Sequence, residues 1–262
     1  GGIVHPQKND ILGKGKLFTS GFGVRYMKKR LAIIPARGGS KGIPKKNIYN
    51  VAGHPLIYYS IQAAKEAKEA GAVDRVIVST DSEEIAAVAR ECGAEVPFIR
   101  PAALSSDKSK SADLMIHAVN FYRELGEYYD DVVLLQPTSP LRRGEDIIGA
   151  IALYDSRQGT SLVSCYREES VSQYNAYHRR DDMGIALHPD HNKGKRRQDL
   201  PELYVRNGAV FITDVQYLLE AELVISDEPV IYVMPAERSM NIDTKYDMEL
   251  TEWLMERELH GR

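Results

Sequence analysis

The chain has 262 residues, 43% of them hydrophobic and 27% charged, with a formal net charge of −3 at pH 7. That is the profile of a soluble globular protein with one large domain, alone or with a small appendage, and it excludes a broad basic surface for nucleic acid or an anionic membrane. The two cysteines, Cys92 and Cys165, lie far apart without CxxC spacing, which argues for two buried thiols and against a disulfide framework or a zinc site.

Residues 1–26 are rich in Gly and Lys, lack periodicity and hold no apolar stretch long enough for a signal peptide. They read as a tag or disordered extension before a natural start at Met27, and the protein reads as cytoplasmic. LAIIPA (31–36) predicts a buried strand, and PLIYYSIQAAKEAKEAG (55–71) a helix with a glycine stop. DRVIVSTD (74–81) predicts a strand and SEEIAAVARECG (82–93) a helix with Ser82 as its N-cap. EVPFIRP (95–101) is a short strand or extended segment, SADLMIHAVNFYREL (111–125) a helix, and DVVLLQPTSP (131–140) a strand running into a loop. EDIIGAIALYDSR (145–157) is helical and TSLVSCYRE (160–168) a strand.

Residues 169–206 break this alternation. They are polar, basic and turn-rich, and they read either as a surface insertion or as an arm that reaches a second subunit. NGAVFITD (207–214) resumes strand character, followed by a short helix at VQYLLEAEL, a strand at PVIYVMP (229–235) and a closing helix at TKYDMELTEWLMERELH. Strands and helices in alternation, with continuous apolar strands, point to an α/β fold with a mostly parallel sheet covered on both faces. The polar clusters RGGSKG, STD and QPTSP each follow a strand directly, so one mouth at the carboxyl ends of the strands collects them.

The first of these clusters carries the densest chemistry. Two glycines after a strand let backbone N–H groups approach an anion, and Arg37, Lys41, Lys45 and Lys46 bring four cations within ten residues. Neither the GxxxxGK[ST] nor the GxGxxG spacing is present, which argues against a P-loop and against a dinucleotide-binding dehydrogenase. Phosphate held by an extended loop is the favoured reading, and a solvated basic turn is its structural alternative.

ARGGSKGIPKKN, STDSEEIA, RPAALSSD, LQPTSPLR, NGAVFI and NID, in this order from Leu31 to the C-terminal helix, resemble the motifs of the acylneuraminate cytidylyltransferase (CMP-nonulosonic acid synthetase) family. The resemblance implies a three-layer, Rossmann-like nucleotide-diphospho-sugar transferase fold with a small dimerisation insertion at 169–206. It implies CTP and an acidic nine-carbon sugar as substrates, Mg²⁺ as cofactor, and a homodimer. In that family the first loop holds the triphosphate, which puts Arg37, Ser40, Lys41 and Lys46 on phosphates and Asn47 on the nucleotide. Lys41, Arg37 and Asp243 are then the catalytic residues, the first two as cations and Asp243 as a metal-binding carboxylate. Arg100 and Ser111 match cytosine contacts, while Ser111 can equally be a helix N-cap.

Gln136 matches a sugar-contacting glutamine, and Arg142, in the same motif, is read either as part of that site or as an ion pair with a neighbouring helix. Arg197 matches a sugar-site arginine in the arm, and Phe211 stands where the family can carry a sugar-contacting Tyr. Asn241 and Asp243 fall on an Asp-x-Asp metal pair, with alternation along an extended strand turning both to one face. Asn241 departs from that pattern because its amide brings no charge. Asp81 reads either as a further metal ligand or as an acceptor at the helix it precedes. The KGIP of the first loop leans towards neuraminate or legionaminate, with pseudaminic acid, Kdn and Kdo as alternatives.

Overall fold

A computed structural model describes residues 16–20, 23–39 and 42–259. It begins with an antiparallel hairpin, β1 (Lys16–Ser20) and β2 (Gly23–Met27), within the segment read as a tag or disordered extension. The rest of that segment lies outside the described residues. β3 (Arg30–Pro35) follows, and a short pair, β4 (Asn50–Val51) and β5 (His54–Pro55), leads into α1 (Leu56–Glu69). Next come β6 (Arg75–Ser79), α2 (Glu83–Glu91), α3 (Ser111–Glu124), β7 (Asp131–Leu134), α4 (Gly144–Arg157) and β8 (Ser161–Glu168). The chain finishes with β9 (Tyr177–Arg180), β10 (Met183–Ala186), β11 (Leu203–Asp214), α5 (Val215–Ala221), β12 (Val230–Val233) and α6 (Lys245–Leu259).

Six strands form one mixed, mostly parallel sheet in the order β12-β8-β11-β7-β3-β6. The period of two along β3 explains how it is covered twice over. Leu31 and Ile33 pack with α3 and α5 on one face, and Ala32 and Ile34 with α1, α2 and α4 on the other. The 95–101 segment is extended beside β6 and joins it through bridges at Ile77–Glu95 and Thr80–Ile99. A third cluster gathers Ile43, Val51, Leu56, Leu141 and Ile242 around Met248 and Met255 of α6, which seats the last helix against the first loop.

Two features differ from the sequence reading. β11 runs antiparallel to both of its neighbours, β7 and β8. It also starts at Leu203 rather than Asn207, because Leu203–Val205 pair with Tyr166–Glu168 and extend the β8–β11 ladder. The arm is therefore 169–202, and its β9–β10 hairpin is largely exposed. Between Arg206 and Phe211 the register of β11 shifts, and Gly208 sits there at φ +74°. A Cβ on Gly208 would meet Gln136 Oε1 at 2.9 Å, so the left-handed backbone and the close approach both require glycine.

Candidate active site

The loops that follow β3 and β7, the segment that leads into α3 and Asp243 close around a cavity of about 480 Å³. Arg37, Lys46, Asn47, Arg100, Ser111, Gln136 and Asp243 all line it, as do Gly42, Asp107 and Thr138. Ser40 and Lys41 lie outside the described residues. Of the remaining cations of the first loop, Lys45 turns to an ion pair with Glu84 of α2 at 2.8 Å, as a solvated surface residue would. Arg37 and Lys46 face the cavity.

Each of these groups is held from behind. Asn47 is buried, and its Nδ2 donates to the Arg37 carbonyl at 3.0 Å, bracing the loop across ten residues. Lys46 Nζ donates to the Ile242 carbonyl at 2.8 Å and stands 3.8 Å from the Asp243 carboxylate. Arg37 pairs with Asp107 of the facing loop at 2.9 Å. Arg100 is 3% exposed, and its Nε donates to Ser105 Oγ at 3.0 Å. Burial pushes the Arg100 guanidinium pKa down; the Asp81 carboxylate opposes that fall and Arg37 adds to it. His117, on α3, is likewise held below its ordinary pKa by burial and then by Arg100, against an opposing pull from Glu124.

Asp81 accepts the Gly38 backbone N–H at 2.8 Å, while Ser82 caps α2 by accepting from Ile85 N–H. Asp81 thus serves the first loop rather than the helix it precedes. Ser111 is the first residue of α3 and not its cap; Lys110 holds that place, its N–H bonded to Asp113. That leaves Ser111 at the cavity wall.

Arg142 is a structural clamp that sequence reasoning left open. It is 2% exposed and donates to the Ala209 carbonyl, the Ser60 hydroxyl and the Gln136 carbonyl, tying the β7 loop to β11 and α1. Burial pushes its pKa down to about 10. The ion pair with a neighbouring helix belongs instead to Arg238, which makes a two-pronged contact with the buried Asp146 of α4. The 135–142 sequence offers no signal that would mark Arg142 as the buried arginine, since Arg143 follows it directly.

Four expected site residues stand differently from their reading. Phe211 is 9% exposed and belongs to the core cluster of α3 and α5, opposite Leu134 at the end of β7; it does not line the cavity. An aromatic ring on the inner face of a covered strand is drawn into the core. Arg197 lines a separate cavity of about 860 Å³ enclosed by the arm, pairing with Glu169 at 3.5 Å, because the arm projects beyond the sheet. Asn241 and Asp243 lie in no strand, yet their side chains meet, with Asn241 Nδ2 donating to Asp243 Oδ2 at 2.9 Å.

Asp243 presents an exposed carboxylate at the cavity, and Asn241 Oδ1 is a buried acceptor without a hydrogen-bond partner. Among the described residues no group of three or more His, Cys, Asp and Glu converges on one point. One carboxylate and one amide oxygen suit a hard cation that draws its other ligands from phosphate and water. Gly42 fixes this corner, since a Cβ there would meet the Asp243 carbonyl at 2.9 Å.

A mixed α/β sheet with a cation-lined cleft at the carboxyl ends of its parallel strands defines a nucleotide-handling α/β protein. The chain belongs to the cytidylyltransferase family, whose model matches residues 31–252. It is 35% identical over 223 residues to the N-acylneuraminate cytidylyltransferase of Escherichia coli, covering 85% of this chain and 51% of that one. It is 33% identical over 226 residues to the pseudaminic acid cytidylyltransferase of Campylobacter jejuni, covering 86% and 96%. With the CMP-N,N'-diacetyllegionaminic acid synthase of Legionella pneumophila it shares 35% over 235 residues, covering 86% and 96%. The chain spans about half the length of the Escherichia coli relative and nearly all of the other two. The fold is shared with CMP-2-keto-3-deoxy-manno-octonic acid synthetase, solved in complex with CTP. That match has a TM-score of 0.62 at 16% identity, over 88% of this chain and 99% of that one. No helix among the described residues is long and apolar enough to cross a membrane.

Proposed function

We propose that this chain is a nucleotidyltransferase that converts CTP and an acidic nine-carbon sugar into the CMP-sugar and pyrophosphate. The observation that carries this reading is the single cavity lined at once by Arg37, Lys46, Arg100, Gln136 and Asp243. Its cations are the groups that a triphosphate would call on, and its carboxylate is the kind of ligand that a metal-bound phosphate would need.

In the proposed reaction the anomeric hydroxyl oxygen of the sugar attacks the α-phosphorus of CTP. A new P–O bond forms as the bond to the bridging α,β oxygen breaks, and pyrophosphate leaves with that electron pair. The hydroxyl proton passes to solvent, for no protein base is assigned. Arg37 and Lys46 neutralise the charge that develops on the leaving pyrophosphate, with Ser40 and Lys41 of the same loop proposed to share that work. Arg100 and Ser111 orient the base, Asn47 keeps the loop in shape, and Gln136 meets the sugar. Asp243, with Asn241 beside it, would hold Mg²⁺, which supplies charge neutralisation on phosphate oxygens and acidity at the sugar hydroxyl when bound.

For the sugar we propose an N-acylneuraminate, with legionaminic acid, pseudaminic acid, Kdn and Kdo as the rivals; the relatives divide by name between the first three. The test is pyrophosphate release from CTP or GTP across a panel of these acids. Release with CTP and an N-acylneuraminate is expected. Release with another acid alone would move the substrate, and no release with any acid would overturn the transferase. The arm is proposed to dock on a second copy and carry Arg197 to its sugar site. The exposed apolar residues Val171, Tyr177, Met183 and Ile185 of the arm support this. Full activity from a chain that sediments as a monomer would remove the arm from the scheme.

A further inference from the structure

The short turn after β6 touches both sides of the cleft. Asp81 Oδ1 accepts the Gly38 N–H of the first loop at 2.8 Å. One residue earlier, the Thr80 carbonyl accepts the Arg100 N–H at 2.7 Å, and Thr80 bridges to Ile99. The turn is itself immobilised. Ser79 and Thr80 are fully buried, the Ala36 N–H is bonded to the Ser79 carbonyl, and the Ser82 N–H is bonded to Thr80 Oγ1. Gly38 also lies so close that a Cβ on it would stand 3.2 Å from Ser82 Cβ.

We infer that Asp81 is a positioning residue that fixes the phosphate-side loop and the base-side Arg100 as one unit. Its carboxylate does two separable things. One oxygen anchors the Gly38 N–H, which any side-chain carbonyl of that length can do. Its negative charge sits one residue from the Thr80 carbonyl that holds the Arg100 N–H, and it favours the charged form of the buried Arg100 against the cost of burial. An amide at position 81 keeps the first role and loses the second. The inference rests on the reading that phosphates lie by the first loop and the base by Arg100.

The two roles separate with two probes on the full chain, measured by calorimetric titration. Inorganic tripolyphosphate reads the phosphate side alone, and CTP reads both sides. Asp81→Ala is expected to weaken both probes by about tenfold, an anchoring hydrogen bond to the loop being lost, while Asp81→Asn returns tripolyphosphate to within about twofold of the parent and leaves CTP about tenfold weak. If Asp81→Asn binds CTP like the parent, the charge does nothing and the inference falls. It falls equally if both variants lose the same factor on both probes, because that is a loop effect without coupling to the base. Should Asp81→Ala fail to fold, the Asp81→Asn pair of titrations decides alone. A parent chain that does not bind CTP would overturn the functional reading first, and is seen before any variant is made.

Discussion

Around the cleft, Asn47, Arg100 and Arg142 are buried and already engaged. Arg142 spends its guanidinium on two carbonyls and a hydroxyl, and Asn47 holds the Arg37 carbonyl. In the arm, Arg197 faces Glu169 at 3.5 Å with about two-thirds of each side chain in solvent. Arg179 with Asp182 and Lys193 with Asp190 are exposed local pairs of the same kind. Buried and fully bonded groups fix a geometry and are expensive to disturb, whereas exposed ion pairs contribute about 0–1 kcal/mol and rearrange readily. The cleft is thus preorganised, and the arm is shaped to adapt to whatever it meets.

The sharpest way to break this contrast is at Asp243. Asp243→Ala is expected to lower pyrophosphate release by about a thousandfold or more, on the scale of losing electrostatic stabilisation at a reacting phosphate. A near-normal rate would take the cleft's carboxylate out of the chemistry. Next comes the clamp. Arg142→Met leaves buried carbonyls without donors and is expected to destabilise the fold by about 3–5 kcal/mol in urea unfolding. A change below about 1 kcal/mol would mean that water replaces the guanidinium there.

The arm should respond differently. Arg197→Ala is expected to raise the KM for the sugar by about tenfold and leave CTP affinity within about twofold of the parent. An equal loss on both substrates would show that the arm and the cleft are one site. Asn241→Asp adds a charge beside Asp243 and should lower the Mg²⁺ needed for half-maximal rate by about tenfold or less, the scale of one near-surface charge interaction. No change would leave Asn241 only as the donor to Asp243.

The smallest effect concerns the root of the arm. The Ser170 hydroxyl, then the backbone N–H groups of Ser170 and Val171, hold the half-buried Glu168 carboxyl down at about 2 from an ordinary 4.5. Its folded pKa is the depressed one, so its contribution is complete above pH 4.5 and is lost as pH falls towards 2. The protection of the Ser170 and Val171 amides, taken relative to their intrinsic exchange rate, should fall over that window, and less so in Glu168→Gln.

Much of the cleft was legible because its signals are local. LAIIP is a continuous apolar run, polar clusters end the strands, and Ser82 precedes a helical pattern that it caps in the structure. The direction of β11 was not legible, since NGAVFI reads the same against a parallel or an antiparallel neighbour. Nor could sequence separate Arg142 from Arg143, one buried and one half-exposed, because the difference lies in what packs above them. Phe211 was read towards the sugar from its family position, but the inward face of a covered strand holds it in the core. Asp81 was weighed between a metal and its own helix, whereas its partner is Gly38, on a loop 43 residues away.

The near-contact of Gly42 with Asp243 joins positions about two hundred residues apart, and Met248 and Met255 of the last helix help to hold it. A chain emerging from the ribosome therefore has its last sheet strand, ending at Val233, before it has the Asp243 corner and the helix that packs on it. A product that stopped after β12 would hold every strand of the sheet and lack the carboxylate on which the proposed reaction depends.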